Sequence, residues 1–87
     1  MSLPVPQRLD QAPAGQLFAV RQVTPDLRVP ERHRQLEEIG FYPGEQVMVM
    51  RRGFPGGDPV VVRIGQSTFA LRSAEAGCVE IEPVAAA

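Results

Sequence analysis

Apolar residues return at every second position through most of the chain, and that period of two predicts strands. In Gly15 to Val23, Leu17, Ala19, Arg21 and Val23 alternate with Phe18, Val20 and Gln22. Both sets are partly apolar, so this stretch leaves its inward face open. In Gln46 to Arg51, Val47 and Val49 take one face and Met48 and Met50 the other. In Pro59 to Ile64, Val60, Val62 and Ile64 alternate with Val61 and Arg63. Thr68 to Arg72 predicts a further strand. Val79 and Ile81, set against Glu80 and Glu82, predict the last.

One segment breaks the alternation. In VPERHRQLEEIG, Leu36 and Ile39 are three apart and share a helical face that Arg32 or His33 extends. Pro30 suits a first helical position, Glu31 favours the positive end of the helix, and Gly40 predicts a left-handed C-terminal cap.

Turn residues separate these elements. Thr24-Pro25-Asp26 marks one turn and Gly65-Gln66-Ser67 another. Tyr42-Pro43-Gly44-Glu45 reads as a type II turn, with Pro43 second and Gly44 third, where φ must be positive. Ser73 is placed to cap a single helical turn, Ala74 to Ala76, that Gly77 ends. The sum is a mainly β fold: a small barrel of about five strands, one short helix after the first strand and a helical turn before the last. Residues 1–14 hold Pro4, Pro6 and Pro13 with little periodicity and read as a flexible N-terminal arm. Residues 15–83 form the domain and 84–87 a tail.

Composition narrows the function. The formal net charge is −1, and all nine basic residues are arginine. A near-neutral chain is a poor nucleic-acid binder, which needs a concentrated basic face. Cys78 is the only cysteine, so no intramolecular disulfide forms. No apolar run reads as a signal peptide or a membrane span, so the chain reads as cytoplasmic without membrane insertion.

The stretch Arg51 to Pro59, RRGFPGGDP, carries the most suggestive chemistry. Glycines beside positive charge suit phosphate, but a P-loop opens a helix and ends in a lysine. Here Val60-Val61-Val62 follows and the chain has no lysine. The stretch therefore reads as a connection between two strands. That reading leaves Phe54 unexplained beside Arg51 and Arg52. Phe54 either covers the open end of the barrel or, with both arginines, contacts a partner. Met48 and Met50 either pack under the helix or extend that contact surface, since methionine adapts to varied partners.

Ligands and nucleophiles are scarce. His33 and Glu37 share a helix face, and Cys78 is the one further candidate, short of the three or four ligands a transition-metal site takes. No cofactor beyond a weak or adventitious divalent metal and no catalytic residue is expected, and Ser73 reads as a cap rather than a nucleophile.

Four stretches resemble the FeoA family of small proteins of bacterial ferrous-iron transport. They are Arg34 to Phe41 (RQLEEIGF), Tyr42 to Val47 (YPGEQV), Pro55 to Val60 (PGGDPV), and Phe69 to Arg72 followed by Glu75-Ala76 and Val79-Glu80-Ile81. They lie in order within a run from Gly15 to Glu82, about four fifths of the chain, that resembles the family as a whole. Phe41-Tyr42 and the extra glycine at Gly56-Gly57 depart from the family pattern. The resemblance implies an SH3-like barrel and a role beside FeoB, the membrane iron transporter with a cytosolic GTP-binding domain, which would recruit the protein to the inner membrane face. It also implies kinship with the C-terminal domain of DtxR-type repressors, so a transition-metal-binding or metal-sensing domain is the alternative. A weak homo-oligomer stays open. Capture of proline-rich peptides fits less well, because one tyrosine and no tryptophan make a poor aromatic groove.

Overall fold

The alternating segments are strands in the computed structural model, which describes residues 5–84. They are β1 (Leu17–Val23), β2 (Gln46–Arg52), β3 (Val60–Ile64), β4 (Ser67–Leu71) and β5 (Val79–Pro83). Two helices, α1 (Glu31–Glu38) and α2 (Ser73–Ala76), lie where the pattern predicts them, and a 3-10 turn covers Leu9–Gln11. The strands form one antiparallel sheet in the order β4-β3-β2-β1-β5. Hydrogen bonds join no part of β4 to β5 among the described residues. Even so, Leu71 of β4 and Ile81 of β5 meet in one core with Ala76 of α2. The sheet therefore curls into a partly open SH3-like barrel.

Two β-bulges settle which side chains enter the core. In β1 the register against β5 slips between Val20 and Gln22, leaving Arg21 as the extra residue. Phe18 and Val20 point inward before the slip and Val23 after it, so neither simple alternation holds along the strand. In β2 the slip falls between Val49 and Arg51, at Met50. Val47 and Val49 are fully buried, while Met48 and Arg51 share the outer face.

The helix ends as its sequence predicts. The Gly40 N–H bonds the Glu37 carbonyl at 3.0 Å and the Phe41 N–H bonds the Leu36 carbonyl at 3.1 Å, a Schellman closure. Leu36 is buried, but Ile39 is 37% exposed, so the pair does not form the buried face expected of it. The fully buried ring of Phe41 fills that place.

The Tyr42–Glu45 turn is closed by the Glu45 N–H on the Tyr42 carbonyl at 3.0 Å, with Gly44 at φ +92°. A Cβ on Gly44 would touch nothing within 4 Å. Gly44→Ala therefore isolates the cost of the left-handed backbone, expected at about 1 kcal/mol or more. A lowered urea midpoint at constant slope checks it; an unchanged midpoint would mean the turn tolerates a side chain.

Two expectations need correction. Residues 1–4 lie outside the described part, but the rest of the expected arm is docked. Leu9 and Ala12 are fully buried, the Ile81 N–H bonds the Gln7 carbonyl at 2.9 Å, and Arg8 bridges to Glu80. The folded unit thus begins near Gln7, because one apolar turn fills the core and the backbone beside it pairs with an otherwise bare strand. Of the expected tail, residues 85–87 lie outside the described part. Ser73 does not cap α2 with its own side chain. Its N–H and hydroxyl both donate to Asp58 Oδ1, at 2.7 and 3.1 Å, while Glu75 accepts the Arg72 N–H at 2.8 Å.

Candidate functional site

The RRGFPGGDP stretch joins β2 to β3, as its sequence predicts, and projects from the barrel on a narrow base. The Gly53 N–H bonds the Pro59 carbonyl at 2.8 Å and the Gly57 N–H bonds the Gly53 carbonyl at 2.9 Å. A Cβ on Gly53 would overlap the Asp58 carbonyl oxygen, with Pro59 N only 2.9 Å away. The two sides of the loop approach that closely only because residue 53 is glycine. The Asp58 carboxylate then ties the far side to the start of α2.

Phe54 stands on this base 97% exposed. It does not cover the barrel; Leu9 and Phe41 supply buried apolar volume instead. The two arginines differ in role. The bulge at Met50 turns Arg52 toward the N-terminal segment, where its guanidinium donates to the Ala12 carbonyl at 2.6 Å. Arg52 is exposed and also ties the loop to the N-terminal segment. Arg51 stays on the outer face, exposed and without a carboxylate partner among the described residues.

The register brings further residues to that face. Leu17 of β1 opposes Met48 of β2, and Met48 opposes Arg63 of β3. Arg51 opposes Val61, two residues from Arg63 and roughly 7 Å along the strand. Leu17 and Met50 are exposed and Met48 is half-buried, so neither methionine packs under α1. A shallow depression of about 250 Å³ lies between Leu17, Met48 and Arg63. Leu17 and Met48 thus lie beside Arg63 on the outer face, with Arg51 farther along it and neither guanidinium paired to a carboxylate among the described residues; Met50 at the bulge and Phe54 on the loop beyond β2 are exposed. Leu17 and Arg63 were not singled out from the sequence. Arg63 had a signal, as the one charge in a valine-rich strand.

A roomier cleft of about 490 Å³ lies along β5, between Arg8, Arg21, Thr24 and Glu80. Its charges already answer one another: Arg21 lies 3.8 Å from Glu80, and Gln22 donates to Glu80 at 2.9 Å. That mutual pairing leaves little charge for a ligand.

The metal candidates are only partly brought together. His33 Nδ1 lies 3.5 Å from Glu37 Oε1 on the half-exposed face of α1. Cys78 is buried apart from them, its thiol directed at the Ala74 carbonyl, and burial pushes its pKa up. No three His, Cys, Asp or Glu residues are grouped to hold a metal ion among the described residues. Asp26 is engaged locally. The Arg28 N–H it accepts, assisted by Arg32 at 2.6 Å, holds its carboxyl below the usual range.

Comparison with known proteins places these features. A family model described as the FeoA domain matches residues 7–83. No curated protein sequence matches the chain significantly. Among solved structures, FeoA of Stenotrophomonas maltophilia complexed with zinc is 33% identical, covering 86% of this chain and 88% of that one, with a TM-score of 0.79. That protein is described as a prokaryotic SH3 domain protein and a candidate ferrous iron transport activating factor. Iron(II) transport protein A of Clostridium thermocellum is 31% identical, covering 88% of this chain and 45% of that one, with a TM-score of 0.77. A manganese-dependent transcriptional repressor, 23% identical over 91% of this chain and 43% of its own, shares the fold alone, with a TM-score of 0.70.

Proposed function

Because the chain belongs to the FeoA family, we propose that it is a cytoplasmic accessory of ferrous iron uptake that acts by binding the GTP-binding cytosolic domain of FeoB. The observation that carries this reading is Phe54, almost wholly exposed on a constrained loop that follows the strand carrying Met48, Met50 and Arg51. A large aromatic ring left in water gains free energy when a partner covers it, and aromatic and arginine side chains dominate interface energies. The loop is held at its base, so little ordering cost opposes docking. Recruitment to the inner membrane face follows from the partner, since no helix among the described residues is long and apolar enough to cross a membrane. The protein contributes contacts and no chemistry.

The alternative, a metal-sensing domain, rests on fold likeness and on the His33–Glu37 pair. Two ligands fall short of the three or four that a transition-metal site takes.

Titrating the FeoB cytosolic domain with wild type, Phe54→Ala and Arg51→Glu/Arg63→Glu tests the proposal. Phe54→Ala is expected to melt like wild type and to bind at least about tenfold more weakly, on the scale of an interface anchor. The charge-reversed variant is expected to bind more weakly still at low salt and to approach wild type as salt rises. Equal affinity for all three would remove this face from the interface.

A further inference from the structure

β4 is an edge strand of unusual bareness. It pairs only with β3, and its other side hydrogen-bonds to nothing among the described residues. Gly65 and Gln66 form a two-residue connection, which makes Ile64 and Ser67 a hydrogen-bonded pair. By alternation, Ser67, Phe69 and Leu71 direct their backbone groups at β3, and Thr68 and Ala70 direct theirs away from it. The sequence STFAL holds no charge and no proline, the usual guards of an open edge. The opposite edge of the sheet is covered: Gln7 and Arg8 pair along β5.

The face beside the bare edge is basic. Arg63 opposes Thr68, Arg51 lies across Val61 from Ala70, and Arg72 follows the strand directly. None of the three has a carboxylate partner among the described residues. We infer that this edge accepts an extended, acidic segment of the protein partner as a sixth strand, with carboxylate side chains toward Arg72 and Arg63. The inference rests on the proposed function and names the docking mode. Main-chain bonds to Thr68 and Ala70 supply affinity, and alternate side chains supply selectivity. A second copy of this chain is the poorer occupant. Joining β4 to β4 would bring Arg63 and Arg72 of both copies to one seam, where like charges repel.

The test combines amide hydrogen exchange with one substitution. Exchange at Thr68 and Ala70 is measured on the wild-type protein with and without the FeoB cytosolic domain. Binding to that domain is also titrated with Ala70→Pro, which removes one outward N–H and no β3–β4 bond. Exchange at both amides is expected to slow at least tenfold in the complex, and Ala70→Pro to bind at least tenfold more weakly with a near-normal melting temperature. A complex that leaves both amides exchanging freely overturns strand addition and leaves the proposed function standing. No complex with wild type overturns the proposed function itself, and this inference with it. Slowing that grows with protein concentration in the absence of partner assigns the edge to a second copy and also overturns the inference.

Discussion

Leu9→Ala is expected to lower the unfolding free energy by about 3 kcal/mol, within the range for emptying a filled core position. Leu9 is completely buried in the common core with Val79 and Ala76, although it lies among exposed residues close to the start of the chain. Its loss leaves a void where the 3-10 turn meets α2 and β5. For a domain of this size the melting temperature should fall by roughly 12–24 °C. Val5→Ala, in the same segment but 58% exposed, should change stability by less than about 0.5 kcal/mol. Urea and thermal unfolding of both variants check the pair. If Leu9→Ala melts like wild type, the segment is not part of the cooperative fold, and a flexible arm is the better description.

Gly53→Ala is expected to cost about 2 kcal/mol or more. The added methyl group meets backbone, the Asp58 carbonyl and Pro59 N, which cannot rotate away as a flexible side chain would. The base of the loop must open. The Gly53–Pro59 hydrogen bond breaks, and the Arg52–Val60 pairing beside it weakens. The neighbouring Phe54→Ala should leave stability near normal, so adjacent substitutions separate scaffold from contact. Partner binding should suffer in both, for different reasons: the ring is absent in one and misplaced in the other. A Gly53→Ala protein with a normal urea midpoint would show that the loop adapts at little cost, and the rigid presentation of Phe54 would lose its basis.

The strands and the α1 helix were legible because period two and period 3.6 survive in the sequence whatever the surroundings. The bulges at Arg21 and Met50 were not, since an inserted residue leaves no compositional mark. Only the register shows that Val23 returns to the core and that Arg52 swings toward Ala12. Leu9 was illegible for another reason. Leu9 and Ala12, set among prolines and polar residues, make too short a pattern to show periodicity, and their burial depends on strands that lie far along the chain. The same distance misled the reading of Ser73, whose groups are taken by Asp58, fifteen residues before it. Half of the proposed contact face was legible, as an aromatic ring and charge in a connection that needs neither. Arg63 and Leu17 joined it only when strand pairing placed them beside Met48.

The pairing of Gln7 and Arg8 with β5 bears on how the protein is made. β1 lies between β2 and β5, and β5 in turn lies between β1 and the Gln7–Arg8 backbone. During synthesis the first segments emerge well before the strand that receives them. β2, β3 and β4 can zip as consecutive hairpins as soon as they are free, because their contacts are local. The core around Leu9 and Val79 must wait until β5 has left the ribosome. Such long-range closure slows folding, and the waiting intermediate exposes Leu9, Phe18 and Val20 to other chains. Folding yield at the ribosome should therefore depend on the last strand far more than on the helix in the middle.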